Sequence, residues 1–141
     1  MGDTGIYPRM KATCYCAAVR TAARKTTALY DSILEPAGVT LAQYSLLRKI
    51  ERAEPVSLTK LGQLAELDRS TVGRNVKALQ GLRLVRASSA RDQREAAVRL
   101  TPAGAETLRR AFPLWEDAQR RVEAALGSSG AAQLETLART L

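Results

Sequence analysis

Apolar positions in the first long segment of the chain recur every three or four residues, which is the spacing of one helix face. They predict a helix from Ala12 to Glu35, which Pro36 and Gly38 then stop. A helix of this length at the edge of a small protein must be covered, either by the rest of the chain or by a second subunit. The positions that carry the pattern are Tyr15, Val19, Ala22, Thr26, Leu29 and Ile33.

The next segment predicts three short helices, each with a capping residue in front of its apolar positions. Thr40 precedes the first helix, Gln43 completes a capping box, and a Glu-Pro pair ends the helix. Ser57 precedes the second helix and Asp68 the third. The connection between these two is tight, and Ser, Thr, Asn and Arg occupy the outer side of the third helix, which is typical of a helix-turn-helix. The apolar positions of that third helix are Val72, Val76 and Leu79.

Two short strands with a charged tip between them follow directly. Residues 84–88 and 97–100 have the composition of strands, whereas residues 89–95 are polar and charged, as at the tip of a hairpin. A basic hairpin placed after a helix-turn-helix is a wing, and its charge suits contact with phosphates or with a minor groove.

The last part of the chain predicts a long helix. Thr101 is its N-cap and Pro102 its first residue. We expect Pro113 to kink this helix, residues 127–130 to form a turn, and a short final helix to follow. Apolar positions of the two helices are Leu108, Phe112, Trp115, Val122, Leu126, Leu134, Leu137, Ala138 and Leu141.

These elements indicate a single domain over residues 1–141 that is mainly α with a small β wing. Residues 36–100 form the winged helix-turn-helix lobe, and residues 1–35 and 101–141 form the helices outside it. The apolar faces of those outer helices exceed what one small lobe can cover, so we predict a homodimer held together by them. A length of 141 residues agrees with one domain.

Composition excludes many kinds of enzyme. The chain has no histidine, which removes the usual zinc and iron ligand, the Ser-His-Asp triad and the Cys-His pair. Two cysteines are too few for a cysteine-rich zinc site or a disulfide framework. An enzyme that uses Lys, Asp or Tyr would need a cluster of converging polar residues, which the sequence does not indicate. We therefore expect neither an enzyme nor a cofactor or metal site.

The charge distribution indicates a partner that carries phosphates. The chain holds 22 Lys and Arg against 14 Asp and Glu, a net charge of +8, and residues 60–99 alone contribute +5 of it. An anionic membrane surface would satisfy the charge equally. However, no targeting segment and no apolar run of membrane-spanning length is visible, and two cysteines fit a reducing compartment. We expect a cytoplasmic protein with no membrane partner.

Three motifs, in this order and spacing, resemble the MarR family of winged helix-turn-helix transcriptional regulators. Thr40-x-x-Gln43-Tyr44 resembles the start of the family's second helix, and residues 67–74 (LDRSTVGR) resemble the start of its recognition helix. The most specific motif is Asp92-x-Arg94 followed by residues 98–104 (VRLTPAG). One position departs from the family pattern, because Arg83 stands where members usually have glycine before the first wing strand.

The resemblance implies function as well as fold. It implies an obligate homodimer whose outer helices interleave and whose two lobes address successive grooves of a pseudo-palindromic double-stranded DNA operator. It further implies a repressor that a small ligand, often aromatic or phenolic, releases from DNA. The alternative on the same scaffold is a thiol-based sensor of organic peroxide.

Candidate DNA-binding residues lie on the third short helix and in the wing. Because its apolar residues must face the core, the polar ones remain for DNA, with Arg74 suited to guanine and Asn75 to adenine. In the wing, the resemblance makes Arg94 the minor-groove residue and Asp92 the residue that braces the loop, with Arg91 as a further candidate. The remaining candidates on the helix are Ser70, Thr71 and Lys77.

The peroxide-sensing alternative rests on Cys16. This cysteine and Tyr30 resemble the reactive cysteine and a tyrosine partner of the family's organic hydroperoxide sensors, but Arg20 stands where those sensors have a second tyrosine. Cys14 and Cys16, two apart on the predicted helix, point about 200° apart and cannot hold one metal ion. Packing as small residues at a subunit interface is the other interpretation of both cysteines, and the one we favour.

Overall fold

The computed structural model describes residues 13–88 and 96–141. Its elements follow the predicted order and confirm a mainly helical fold with a small sheet. They are α1 (Tyr15–Leu34), a 3₁₀ turn (Glu35–Ala37), α2 (Leu41–Ala53), β1 (Val56–Ser57), α3 (Leu58–Ala65), α4 (Arg69–Gly81), β2 (Val85–Ala87), β3 (Ala97–Leu100) and α5 (Pro102–Thr140).

The predicted helix caps are present. The Oγ1 atom of Thr40 accepts a hydrogen bond from the Gln43 amide at 3.2 Å, while the Gln43 side chain accepts one from the Thr40 amide at 3.0 Å. Ser57 caps α3 through the Lys60 amide, and Thr101 caps α5. Local side-chain bonds of this kind set where α2, α3 and α5 begin, which is why the sequence predicted those starts well. Helix α1 has no side-chain cap and begins at Tyr15, three residues after the predicted Ala12.

The core of the lobe joins α1 to the helix-turn-helix and the wing. Its largest fully buried side chains come from α1, α2, α3 and α4, and two residues of the predicted apolar face of α4 are among them. These side chains are Leu34, Leu47, Ile50, Leu61, Leu79 and Val72.

The sheet has three antiparallel strands in the order β1-β3-β2, with Val98 of β3 opposite Val56 and Leu100 opposite Val85. Strand β1 was not predicted, because two residues after a proline are too few to show an alternating pattern. Beyond β1, the Glu54 carboxylate accepts a hydrogen bond from the Leu100 amide at 2.7 Å. The wing strands are therefore fixed to the end of α2.

Helix α4 ends in a Schellman motif whose left-handed position is occupied by Arg83, with φ of 60°. The Leu84 amide donates to the Leu79 carbonyl at 3.0 Å, and the Arg83 amide donates to the Gln80 carbonyl at 2.9 Å. The Thr101 hydroxyl donates to the Arg83 carbonyl at 2.7 Å. The missing glycine thus leaves the turn in its place, and arginine adopts the left-handed conformation at an energetic cost.

Replacing Arg83 with glycine should therefore stabilise the protein. We expect Arg83→Gly to raise the free energy of unfolding by about 0.5–1 kcal/mol, since glycine reaches positive φ without the Cβ clash but is more flexible when unfolded. Leu82→Gly is the matched control, because Leu82 has right-handed backbone angles and gains nothing from glycine. Urea titration checks both variants, and an Arg83→Gly protein less stable than the wild type would contradict this account of the turn.

Helix α5 passes through Pro113 with helical backbone angles, and its only interruption lies at Gly127, with φ of 74° and ψ of 166°. The turn predicted over residues 127–130 is confined to that glycine, because residues 128–130 are helical. Glycine adopts positive φ readily, whereas the rigid ring of proline still permits the helical φ. The sequence thus predicted the position of the break between the two C-terminal helical segments. It did not predict that the break would be a single residue long.

The outer helices are covered only in part. Tyr30, near the end of α1, is buried and donates a hydrogen bond to the Gln119 side chain of α5. Earlier in α1, Val19 is 47% exposed, and on α5 Leu126 and Leu134 are 43% and 51% exposed. These three leave an apolar groove between α1 and α5, the uncovered surface that the sequence pattern indicated. None of the helices in residues 13–88 and 96–141 combines the length with the apolar character that a membrane-spanning segment requires.

Candidate nucleic-acid interface

Helix α4 separates an apolar face from a polar one. Val72, Val76 and Leu79 are buried against the lobe, as predicted. On the other side Ser70, Arg74 and Lys77 are exposed, and Thr71 is half-buried. Four of the helix residues predicted to contact DNA therefore share one surface, which we call the α4 outer face and define as Ser70, Thr71, Arg74 and Lys77.

Asp68 organises the start of this face. Its carboxylate accepts hydrogen bonds from the Ser70 hydroxyl at 2.7 Å, from the Thr71 amide at 2.8 Å and from the Thr71 hydroxyl at 2.9 Å. These bonds, that of the Ser70 hydroxyl first, lower the pKa of Asp68 to about 2. The carboxylate is thus ionised and occupies the N-terminal end of the helix, where free amide groups would otherwise favour a phosphate.

Arg74 lies next to this network. Its Nη2 atom donates a hydrogen bond to the Thr71 hydroxyl oxygen at 3.3 Å. The guanidinium is exposed and keeps its other N–H groups for a partner. The guanidinium of Arg74 is therefore held in place by Thr71 rather than extended freely into solvent.

Asn75 is placed differently from the expectation. It is half-buried and lines a cleft between α4 and the start of α2, together with Thr40, Gln43 and Leu46. The cleft lies beside the α4 outer face rather than on it. The helical spacing of the sequence could not show this, because the cover comes from α2.

The wing strands carry two arginines that the sequence analysis missed. Arg86 of β2 and Arg99 of β3 are directly opposite each other in the antiparallel register, so their side chains share one face of the sheet. Like charges in directly opposite positions repel, and an anion placed between them would offset that repulsion. Both arginines are visible in the sequence, but only the strand register shows that they lie opposite each other.

The wing residues Arg91, Asp92 and Arg94 lie outside the described residues, so their roles stay predictions.

Comparison with known proteins supports the same interpretation of the fold. The sequence model of the MarR family matches residues 37–95. The transcriptional regulator MosR of M. tuberculosis, crystallised in complex with DNA, is 31% identical, and the alignment covers 90% of this chain and 97% of that one with a TM-score of 0.73. The chain belongs to the MarR family. Members of this family are DNA-binding transcriptional regulators and not enzymes.

Other MarR-type structures are similar as well. A probable transcriptional regulator from Pseudomonas aeruginosa is 26% identical, over 89% of this chain and 96% of that one, with a TM-score of 0.81. A cysteine-to-serine mutant of MarR from E. coli, complexed with operator DNA, is 23% identical over 88% of this chain and 90% of that one, with a TM-score of 0.78, and shares the fold. No curated protein sequence is similar enough to count as a match.

The residues of the peroxide-sensing alternative are apart in this MarR-family chain. Cys16 lies in the exposed first turn of α1, whereas Tyr30 is buried fourteen residues later, about 21 Å along the helix, and bonds to Gln119. Cys14 is the residue before the helix and has extended backbone angles. The 200° separation expected for the two cysteines therefore does not apply, and both thiols are exposed.

Proposed function

We propose that this protein is a transcriptional repressor that binds a pseudo-palindromic double-stranded DNA operator as a homodimer and is released by a small ligand. The observation that supports this most is the α4 outer face, where Arg74 and two hydroxyl groups are displayed on a helix whose opposite side is buried. The related MosR and MarR structures were both solved with DNA.

In this proposal α4 enters the major groove and the wing approaches the neighbouring backbone. Arg74 reads a base edge and Lys77 contacts a phosphate. Arg86 and Arg99 supply the anion-binding site at the base of the wing, and Arg94, with Arg91 as a further candidate, extends the contact into the minor groove. The apolar groove between α1 and α5 is covered by the same helices of a second copy.

Selection from a randomised duplex library tests the proposal. We expect the full-length protein to enrich a pseudo-palindrome whose half-sites lie about 10 base pairs apart. Its affinity should fall steeply with salt, with each neutralised phosphate adding about −0.9 to the slope of log affinity against log salt concentration. A scrambled duplex of equal length serves as the control. Equal affinity for every duplex, or a flat salt response, would refute sequence-specific binding.

Charge reversal at Arg86 separates stability from DNA binding. We expect Arg86→Glu to be at least as stable as the wild type, because the introduced carboxylate pairs with Arg99 where two cations faced each other, a gain of about 0.2–1 kcal/mol. Its affinity for the selected duplex should nevertheless fall, with a salt slope smaller by at least about 1. Arg139→Glu, near the far end of α5, changes the net charge equally and is the control. If Arg86→Glu binds the duplex as tightly as the wild type, the wing strands do not contact the DNA.

An aromatic acid is the ligand class we propose for release. Phe112 is 41% exposed and stacks against Trp115, and Arg48 lies 5.9 Å from the Phe112 ring centre. At this junction of α2 and α5, an aromatic carboxylate would find a stacking surface and a cation, and would share Arg48 with the Glu51 carboxylate that now accepts its hydrogen bond at 3.0 Å. Adding phenolic acids to the DNA-bound protein tests this class.

The peroxide-sensing alternative is supported by the exposure of Cys16. It predicts that micromolar organic hydroperoxide releases the wild type from DNA and that Cys16→Ser alone abolishes this release. Our proposal predicts the opposite, namely that Cys14→Ser and Cys16→Ser variants still bind DNA and still respond to the ligand.

A further inference from the structure

The two hydroxyl groups at the start of the α4 outer face have a fixed polarity. A hydroxyl has one proton to donate and two lone pairs to accept with. Ser70 and Thr71 both donate that proton to the Asp68 carboxylate, at 2.7 and 2.9 Å. Toward a partner they therefore present acceptors and no donors.

Arg74 adds donors directly beside these acceptors. One of its N–H groups reaches Thr71 Oγ1 at 3.3 Å, which leaves one lone pair of that oxygen and the rest of the guanidinium fork for a partner. The exposed surface thus carries an ordered row, two donors from the arginine and then one acceptor from the threonine.

Only one arrangement of a base pair complements that row. Read across the major groove from the purine, a guanine–cytosine pair presents acceptor, acceptor and donor, through guanine N7 and O6 and the cytosine amine. An adenine–thymine pair presents acceptor, donor and acceptor, which places a donor against the second donor of the arginine. A phosphate, which only accepts, is disfavoured because Asp68 is ionised and already holds the Thr71 amide.

We propose that Asp68 is a positioning residue which, by holding the Ser70 and Thr71 protons, makes Thr71 an acceptor for a cytosine amine while Arg74 binds the paired guanine. Asp68 itself touches no base. The inference rests on the DNA-binding function proposed above and adds the base pair that each half-site must contain at this position.

Selection with variants provides the first test. The wild type should enrich a duplex with a guanine–cytosine pair at one position of each half-site. Arg74→Ala should lower the preference for that pair over the other base pairs about 10- to 100-fold. Thr71→Val, which keeps the shape but lacks the acceptor, should relax the same position without changing the salt slope, whereas Thr71→Ser should retain the preference.

Asp68→Asn tests the positioning role separately. Asparagine is as good an N-cap as aspartate, so the helix is kept and the thermal melt stays near that of the wild type. Its amide group, however, donates to one hydroxyl and turns that proton outward, so the preference for the guanine–cytosine pair should fall. Ser57→Asn also places an asparagine at a helix N-cap, that of α3, and should leave the preference for the guanine–cytosine pair intact.

A base analogue identifies the contact itself. In the selected duplex, the responding cytosine is replaced by 2-pyrimidinone, which lacks the exocyclic amine. The wild type should lose about tenfold in affinity on this duplex, and Thr71→Val should bind both duplexes equally.

The outcomes separate this inference from the function on which it rests. If the wild type enriches no sequence, the proposed function fails and the inference with it. If a sequence is enriched but the position that responds to Arg74→Ala is not a guanine–cytosine pair, the inference alone is overturned. It is also overturned if Thr71→Val retains the wild-type selectivity, or if the analogue duplex binds the wild type as tightly as the natural one.

Discussion

Gly104→Ala is expected to lower the free energy of unfolding by about 3 kcal/mol, a large fraction of the stability of a small domain. A Cβ atom at this position would lie 2.0 Å from the Leu84 carbonyl oxygen and 3.0 Å from the Leu84 carbonyl carbon. Both are backbone atoms, so no change of rotamer relieves the clash. The Leu84 oxygen also accepts the Thr101 amide at 3.0 Å, so α5 would have to move away from the base of the wing.

Gly81→Ala is the matched control for this prediction. Gly81 ends α4, and a Cβ atom there meets nothing within 4 Å. Because alanine is a better helix former than glycine, the same substitution should stabilise the protein by about 0.5–1 kcal/mol. Thermal and urea unfolding measure both effects. A Gly104→Ala protein as stable as the wild type would show that α5 and the wing do not approach as closely as described.

A charge placed in the groove between α1 and α5 should separate the homodimer. Val19 is 47% exposed in the single chain, so Val19→Glu leaves the lobe core untouched, whereas in the proposed dimer the carboxylate would be buried in a groove lined mainly by apolar side chains. We expect the variant to sediment as a monomer and to bind the selected duplex about 10²- to 10⁴-fold more weakly, because the second half-site contact is no longer intramolecular.

Leu64→Glu is the control for the sedimentation experiment. Leu64 is 41% exposed, but it lies on α3 and away from the groove. This variant should remain a dimer, and circular dichroism should show that both variants keep their helices. A wild type that sediments as a monomer at micromolar concentration would contradict the assignment of the groove to a second copy.

The starts of the helices that have a side-chain cap, and the apolar faces, could be predicted from the sequence because they depend on residues close together in the chain. Thr40 and Gln43 form their capping box within one turn, and the three apolar residues of α4 needed only the helical period. Arg83 stands where the family resemblance leads one to expect glycine, and its φ of 60° shows why glycine suits that position.

The features that could not be predicted depend on contacts between distant segments. Asn75 is half-buried because α2 packs beside it, and Tyr30 bonds to Gln119, 89 residues later. Arg86 and Arg99 became a pair only through the strand register. The polarity of Ser70 and Thr71 is a local feature, but it depends on which way two hydroxyl protons point, and a residue pattern does not contain that information.

The ionised Asp68 has a consequence for how the interface responds to acidity. Its pKa of about 2, against an ordinary value of 3.8, means that its stabilising bonds are complete above about pH 4 and are lost only as the pH falls through 2. Histidine is the side chain whose ordinary pKa lies between pH 5 and 8, and the chain has none. In the proposed complex with DNA, neither Asp68 nor a histidine therefore changes its charge across that interval. Binding to DNA should accordingly respond to salt and not to acidity over this range.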